Sequence, residues 1–233
     1  MPKTEIITRA LNRLEYTVMC IRGVHKLSGT KDYKHIVINQ GSTDGTKQWL
    51  DSLLKEKYYQ LEVKHNEENS GDAGGMKQGW EMLSDDCKYV MQFDNDCEPV
   101  TSRFLFNLTM VMDNSPKIGA LMMKRLNVNR VLTPKNVVNL YGLNIGEIET
   151  ATCCTIFRRK VVEDIGIWFN QEKIGWGQTI SKEMKKRNYK ICKCLDIKVN
   201  HIDGSEGQAR KYPLYYSNKT TKQSNYTKIN YGD

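Results

Sequence analysis

The chain has 233 residues, and its composition excludes several classes of protein. Hydrophobic residues make up 39% of it and charged residues 27%, as in a folded soluble protein rather than a disordered one. No apolar run is long enough to span a bilayer, and the N-terminal segment lacks the apolar core of a signal peptide. The net charge of +8 favours an anionic partner, although a lysine-rich surface can also simply be solvated.

The seven cysteines indicate the cellular compartment of the protein and raise the question of a metal site. An odd number of cysteines without a secretory signal predicts free thiols in a reducing compartment, and hence a cytoplasmic protein. Cys192 and Cys194 have the spacing of a metal clip. They lack the paired Cys-x-x-Cys or histidine partners of a zinc site, so we expect them to pack in the core.

The first hundred residues alternate short apolar strands with amphipathic helices. Strands are predicted at Glu5 to Thr8, His35 to Ile38, Leu61 to Val63 and Tyr89 to Phe93. Helices are predicted from Leu14 to Val24, around Trp49, Leu50, Leu53 and Leu54, and around Ala73, Met76, Trp80 and Leu83. This alternation predicts an α/β fold with a mostly parallel sheet and helices on both faces.

The second half of the chain is less regular. The predicted elements are a helix from Phe104 to Met112, a strand from Ile118 to Met123, a strand from Ala151 to Phe157, a helix from Arg159 to Ile165, a basic helix from Gln178 to Asn188 and a strand from Tyr189 to Val199. Residues 127–149 are expected to form a loop with short strands. Since there is no internal repeat and no linker rich in proline, glycine or serine, we expect a single domain over residues 1–233.

The fourth predicted strand ends in the acidic triplet Asp94-Asn95-Asp96, and Pro99 is expected to close the strand. If the chain stays extended, Asp94 and Asp96 point to one side and Asn95 to the other. Two carboxylates at the end of a buried strand can bind a hard divalent cation. Taken alone, such a triplet is more often a turn.

Other polar sequences follow the earlier strands in the same way. Residues 39–45 follow the second strand and residues 69–75 follow the third. In parallel α/β sheets the loops at the carboxyl ends of the strands carry the ligand site, so these loops are expected to converge with the acidic triplet.

In their order and spacing these stretches resemble the GT-A fold glycosyltransferases, in particular the inverting, DxD-containing, family-2-like group. The resemblance spans about residues 4–201. The stretches that carry it are Thr8-Arg9 with Asn12-Arg13-Leu14-Glu15-Tyr16-Thr17, Ile36 to Thr46, Asn69 to Gly79, Asp94-Asn95-Asp96 at the position of the DxD motif, and Thr155 to Gly166. A single stretch of this kind is weak evidence, whereas five in order are strong.

The resemblance implies a metal-dependent enzyme that transfers a sugar from a nucleotide-sugar donor, most simply a UDP-sugar, to a hydroxyl group. The implied donor-binding residues are Thr8, Arg9, Asn39, Asp44, Asn69, Gly71, Lys77, Asp94 and Asn95. Asp96 and His201 are the implied ligands of Mn²⁺ or Mg²⁺. The implied division is a donor-binding half over about residues 1–100, an acceptor half over 101–202 and a polar tail over 203–233.

Two departures from the family pattern concern the nucleotide base and catalysis. Asn39 stands where the family usually has aspartate, so a hydrogen-bonding group is kept but its charge is lost. Thr179 stands where the family carries the general base, and a threonine hydroxyl cannot serve as a base at neutral pH. The nearest carboxylates in the sequence are Glu172 and Asp203.

The acceptor and the activity itself leave alternatives open. The acceptor could be a cell-surface glycan or lipid, or, given the positive charge, a hydroxymethylated base in DNA. Loss of the base would instead leave a non-catalytic module that binds a nucleotide-sugar or another polyanion. The sequence contains no P-loop and no Gly-x-Gly-x-x-Gly, which argues against an NTPase or a dehydrogenase.

Overall fold

A computed structural model describes residues 3–56, 60–127, 132–166 and 176–202. The strands are β1 Thr4–Ala10, β2 Tyr33–Gln40, β3 Leu61–Asn66, β4 Tyr89–Gln92, β5 Cys97–Pro99, β6 Ile118–Leu126, β7 Lys135–Leu140, β8 Leu143–Glu147, β9 Thr155–Arg158 and β10 Lys190–His201. The helices are α1 Leu14–Leu27, α2 Thr46–Glu56, α3 Gly71–Glu81, α4 Phe104–Asn114, α5 Arg159–Ile165 and α6 Trp176–Lys186. None of these helices is both long enough and apolar enough to cross a bilayer.

The strands of the described chain form one sheet in the order β3-β2-β1-β4-β9-β6-β10-β8-β7, with β5 paired to β10. β1, β2, β3 and β4 are mutually parallel, and β6 is parallel to β10. β9, β8 and β5 run opposite to the other strands. The predicted α/β fold, with a mostly parallel sheet, is therefore confirmed.

Alternate residues of the central strands β1 and β4 pack into two hydrophobic layers, one on each face of the sheet. Ile6 and Met91 belong to the layer that also contains the apolar residues of α4. Ile7 and Val90 belong to the opposite layer, with residues of α3, α5 and α6. Since these strands are covered on both faces, they appear in the sequence as continuous apolar runs rather than as alternating ones.

Helix α3 lies unusually close to the sheet because two glycines face it. A β-carbon added at Gly79 would lie 2.4 Å from Cγ2 of Ile7 on β1. One added at Gly75 would lie 2.0 Å from Nε2 of Gln40 and 3.0 Å from Cγ of Arg9. The N-terminal part of α3 is thereby held against the carboxyl ends of β1 and β2.

Two predicted boundaries in the middle of the chain were wrong. Pro99 does not close the fourth strand: β4 ends at Gln92, and Pro99 belongs to β5, paired with Val199 of β10. Residues 151–154 precede β9 rather than forming part of it. Cys154 there has a positive φ of 58°, which breaks the extended conformation.

The remaining predictions for the second half agree with the structure where it describes the chain. The segment 127–149 contains the β7–β8 hairpin. The last strand runs two residues beyond its predicted end at Val199, and so includes His201. Cys192 and Cys194 are buried in one hydrophobic layer, as expected for packing residues. The polar tail from Asp203 lies outside the described residues.

Candidate functional site

The acidic triplet forms a tight turn between β4 and β5. The backbone N–H of Cys97 donates to the carbonyl of Asp94 at 3.0 Å, which closes the turn around Asn95 and Asp96. The extended alternation expected through these residues is therefore not present. The two interpretations of the triplet, turn and ligand site, are compatible because the turn itself presents the carboxylates.

Asp94 lies in a network of side chains at the ends of β1 and β4. Its Oδ1 accepts hydrogen bonds from Nη2 of Arg9 at 2.7 Å and from Nε2 of Gln92 at 3.0 Å. The Arg9 guanidinium also pairs with Asp72 at the start of α3. Burial raises the pKa of Asp94 to about 7, the negative charge of Cys153 adds to the rise, and Arg9 opposes it. Burial, more than the neighbouring charges, therefore dominates the shift in the pKa of Asp94.

Asp96 is 8% exposed and faces both the first helix and the last strand. Nη1 of Arg13, at the start of α1, lies 3.5 Å from its Oδ2. Nε2 of His201, at the end of β10, lies 3.9 Å from its Oδ1. The pairing of β5 with β10, in which His201 is opposite Cys97, brings together residues about a hundred positions apart in the chain.

The oxygen of Asp96 and the ring nitrogen of His201 are placed as two ligands of one ion. Metal–ligand distances of about 2.1 Å allow two ligands of the same octahedral ion to be roughly 3–4 Å apart. The 3.9 Å separation fits within that span. Nδ1 of His201 is buried and has no hydrogen-bond partner among the described residues. A carboxylate with an imidazole suits Mn²⁺ and allows Mg²⁺.

The other strand-end loops meet beside this turn, as their positions in the sequence predicted. The backbone N–H of Asn12 donates to Oγ of Ser42 at 2.8 Å, and its side-chain oxygen accepts from the N–H of Thr43 at 2.8 Å. Gln40 bridges the next two loops: its Oε1 accepts from Oγ of Ser70 at 2.8 Å, and its Nε2 donates to the carbonyl of Gly71 at 3.1 Å. The loops after β1, β2 and β3 are thus joined into one surface.

Three of the residues implied to bind the donor, Thr8, Asn39 and Asp44, contact side chains or helix ends of the fold rather than the acidic turn. Thr8 is fully buried, and its hydroxyl lies 2.8 Å from Nε2 of His35. Asn39 lies 3.0 Å from Nδ1 of His65. Asp44 accepts from the backbone N–H of Leu14 at 2.8 Å and from that of Thr46 at 3.2 Å, so it caps α1 and α2 together.

Of the other implied donor residues, some lie at the site and others lie away from it. Asn69 accepts from the N–H of Gly71 at 2.9 Å in the turn that starts α3, beside Arg9 and Asp72. Asn95 is buried and donates to Oγ1 of Thr17 at 3.1 Å, facing α1 rather than solvent. Lys77 is half-exposed, and its Nζ lies 3.9 Å from Oε1 of Glu81 one helical turn later. It is therefore not one of the residues that meet beside the acidic turn.

The structure describes Thr179, at the position where the family carries the general base, but neither of the two candidate carboxylates. Thr179 is partly exposed in the first turn of α6, a turn without an acidic residue. Gly177 of the same turn packs against the carbonyl of Ala151. Glu172 and Asp203 lie outside the described residues.

Several residues of the site could not be found from sequence patterns. Arg13 is 3% exposed and lies beside Asp96, and its Nη2 donates to Oδ1 of Asn95 at 3.2 Å. Asp72 pairs with Arg9. Cys153 and Cys154 pack with Cys97, and hydrogen bonds from the other two thiols lower the pKa of Cys153 well below its usual value. No fixed spacing marks these contacts, because each joins segments that are far apart in the chain.

An α/β sheet whose strand-end loops surround an Asp-x-Asp turn and a late histidine defines the class of GT-A fold glycosyltransferases. Residues 5–166 match Glycosyl transferase family 2, and the chain belongs to that family. The matched region contains the acidic turn and ends before α6 and His201.

Solved structures of similar fold agree with this membership. TarS from S. aureus, residues 1–349, has a TM-score of 0.68 and 20% identity, with 85% of this chain and 60% of TarS covered. A structure of TarS in complex with UDP-GlcNAc aligns with the same TM-score. GalNAc-T7 with UDP, GalNAc and Mn²⁺ has a TM-score of 0.74 and 13% identity over 88% of this chain and 44% of GalNAc-T7. The mannosyltransferase PcManGT from Pyrobaculum calidifontis, with GDP-Man and Mn²⁺, has a TM-score of 0.65 and 14% identity over 86% of this chain and 57% of that enzyme.

Among curated proteins, the chain is similar to a teichoic acid poly(glycerol phosphate) polymerase from Staphylococcus epidermidis. The two are 31% identical over 108 residues, which is 46% of this chain and 15% of the polymerase. The chain therefore spans a small part of that relative and less than two thirds of the TarS fragment.

Proposed function

We propose that the protein is a metal-dependent, inverting glycosyltransferase that uses a UDP-sugar donor. The observation that carries the proposal is the acidic turn, where Asp96 and His201 lie 3.9 Å apart beside Asp94 and Arg9. Transfer of a sugar releases a nucleoside diphosphate whose negative charge grows as the bond breaks. A divalent cation held by Asp96 and His201, Mn²⁺ or Mg²⁺, would supply the positive charge that this step needs.

The chain's own residues have distinct parts in this proposal. Arg9 holds Asp94 in place and ties it to Asp72 at the start of α3, while Arg13 orients Asp96. The donor lies on the joined loops of residues 1–100, which form the donor-binding half, and the acceptor lies on residues 101–202. An inverting transfer needs a base that removes the proton from the acceptor hydroxyl. We assign it to Glu172 or Asp203 rather than to Thr179.

The donor class is supported by the nucleotides bound in the similar solved structures. TarS and GalNAc-T7 were solved with UDP-GlcNAc and with UDP, respectively, and PcManGT with GDP-Man. Two of the three thus carry a uridine nucleotide. Both Mn²⁺-containing neighbours favour Mn²⁺ over Mg²⁺ for this site.

For the acceptor we propose a hydroxyl group of an anionic cell-surface glycan, such as a poly(glycerol phosphate) chain. The net charge of +8 favours a polymer that carries phosphates. The curated relative is named for poly(glycerol phosphate), whereas the relatives named above give no support to a DNA acceptor. A cytoplasmic location, where nucleotide-sugars are made, is part of the proposal.

The test is release of UDP from a panel of UDP-sugars with Mn²⁺ and a poly(glycerol phosphate) acceptor. We expect Asp96→Ala to lower turnover about 100-fold, or ~2.7 kcal/mol of transition-state stabilisation, because the diphosphate loses its cation. Asp86→Ala, which removes an exposed carboxylate before the start of β4, at the end of that strand opposite the acidic turn, is the matched control. Equal turnover in wild type and Asp96→Ala would refute the metal assignment.

A second candidate, a binding module without turnover, is favoured by the first turn of α6, which lacks an acid. It predicts Mn²⁺-dependent UDP binding with no product on any acceptor. Mass spectrometry of the acceptors separates the two functions, since one glycosylated product excludes the binding module.

A further inference from the structure

Three cysteine thiols converge next to the acidic turn although they come from two distant segments of the chain. The sulfur atoms of Cys97, Cys153 and Cys154 all lie within 4.8 Å of one another. Cys97 begins β5, and Cys153 and Cys154 lie in the segment before β9. The left-handed backbone of Cys154, with φ of 58°, turns two consecutive residues so that both thiols face Cys97.

This three-thiol cluster borders the Asp96–His201 pair through Cys97. The ligand atoms of Asp96, Cys97 and His201 also lie within 4.8 Å of one another. Sulfur ligands of a tetrahedral Zn²⁺ at about 2.3 Å are roughly 3.8 Å apart, so the three thiols need only small shifts to share one ion. The imidazole of His201 lies within 4.8 Å of the Cys97 sulfur and has to move toward Cys153 and Cys154 to become the fourth ligand. Imidazole and thiolate are the ligands that zinc prefers in proteins.

A positively charged side chain beside the cluster can balance the charge of three thiolates bound to a dication. Zn²⁺ with three thiolates and a neutral imidazole carries a net charge of minus one. Nη1 of Arg125 on β6 lies 3.5 Å from Sγ of Cys153 and supplies the compensating positive charge. A buried ion group is tolerated when its charge is balanced and its sulfurs accept hydrogen bonds.

Simple packing is the competing explanation, since free cysteine often behaves as a small buried hydrophobic residue. Cys20, Cys87, Cys192 and Cys194 are also buried free thiols, and they provide the comparison within this chain. None of those four belongs to a group of three metal-ligating side chains in the described part of the chain. The cluster also contains a guanidinium directed at a sulfur, which apolar packing does not require.

We propose that Cys97, Cys153 and Cys154, with His201 as the fourth ligand, form a binding site for a thiophilic divalent cation of the Zn²⁺ class. Binding of Zn²⁺ releases the thiol protons to solvent and leaves the sulfurs unoxidised. Because His201 is shared with the proposed Mn²⁺ site, zinc in the cluster withdraws a ligand from that site and inhibits it. The thiolate site itself does not depend on the proposed function; only the inhibition does.

The test is a titration of the metal-free full chain with Co²⁺, under anaerobic conditions and with a reductant that contains no thiol. We expect one equivalent of Co²⁺ to give thiolate-to-cobalt charge-transfer absorption, and Zn²⁺ to displace it. Cys153→Ser should lower the absorption by about a third, since two thiolates remain of three. It should weaken Zn²⁺ binding at least about tenfold, which is the cost of losing even an outer-shell partner.

Cys192→Ser, which alters a buried thiol outside the cluster, is the matched control and should bind Co²⁺ like wild type. If Cys153→Ser folds poorly, the shift in melting temperature on adding Zn²⁺ provides a second measurement: it should be present in wild type and Cys192→Ser and absent in Cys153→Ala. Absence of charge-transfer absorption in wild type, or equal absorption in Cys153→Ser, would overturn the site.

Asp96→Ala separates this proposal from the glycosyltransferase itself. It should lower Mn²⁺-dependent turnover about 100-fold, as above, while keeping the thiolate–cobalt absorption. If instead both signals are lost together, the cluster is not an independent thiolate site. If turnover is absent in every variant and the absorption persists, the proposed function fails and the zinc site stands.

Discussion

The four parallel strands β3-β2-β1-β4 and the mixed strands β9, β6 and β10 build the two sides of the site in different ways. On the parallel side, consecutive β-α units end at one edge, and their loops are joined by hydrogen bonds of Asn12, Gln40 and Asp44. On the mixed side, β9 enters between β4 and β6 in the opposite direction, and the contacts join distant segments.

This difference explains why the sequence contains recognisable motifs for the parallel side of the site and few for the mixed side. A loop that must cap a helix or bridge to its neighbour needs particular residues at fixed spacing, and such residues form a recognisable motif. A contact between β5, β10 and the segment before β9 imposes no fixed spacing. The family match accordingly covers residues 5–166 and ends before α6 and β10, where His201 lies.

The largest expected effect concerns the general base, since the first turn of α6 contains no acidic residue. We expect either Glu172→Gln or Asp203→Asn to lower turnover about 100-fold while leaving Mn²⁺-dependent UDP binding intact, because a general base contributes 10²–10⁴-fold. Thr179→Ala should change turnover little. Steady-state kinetics with UDP binding measured in parallel checks this, and full turnover in both carboxylate variants would assign the base to another residue.

The next effect concerns Arg9, which links the parallel side to the acidic turn. We expect Arg9→Met to lower the free energy of unfolding by about 2 kcal/mol, since the partly buried Asp94 loses its charged partner and keeps only the hydrogen bond from Gln92. Denaturant unfolding measures this loss. Mn²⁺ should restore more stability to Arg9→Met than to wild type.

The control for that experiment is Lys47→Met, which breaks an exposed pair with Asp51 and should cost less than about 0.5 kcal/mol. A loss in Arg9→Met no larger than in Lys47→Met would mean that the parallel side does not depend on its link to the acidic turn.

The smallest effect tests whether Asp44, a residue of the second motif, stabilises the fold or binds the donor. Asp44 uses both carboxylate oxygens to cap α1 and α2, so Asp44→Ala should lower the free energy of unfolding by about 1–2 kcal/mol. We expect UDP affinity of the folded variant to change less than about twofold. Isothermal titration with UDP beside denaturant unfolding distinguishes the two roles, and a tenfold loss of affinity with normal stability would make Asp44 a donor ligand.

Much of the fold could be predicted from short stretches of the sequence. Apolar runs such as Tyr89 to Phe93 are buried on both faces of the sheet, and a buried strand between helices appears in the sequence as such a run. The turn at Asp94-Asn95-Asp96 was also predictable, because it depends on neighbouring residues. The exact strand ends were not, since Pro99 pairs with β10, which is distant in the chain, and Cys154 has a left-handed backbone.

The sequence by itself determined the alternation of strands and helices, the family and the position of Asp96, because each depends on residues close together in the chain. Only the tertiary structure decided which side chains meet there. It turns Thr8 into the core, sets Arg13 beside Asp96, and brings Cys97 to Cys153 and Cys154. The physical reason is that strand order and direction fix these contacts, and the hydrophobic period of each separate strand carries no information about its neighbours.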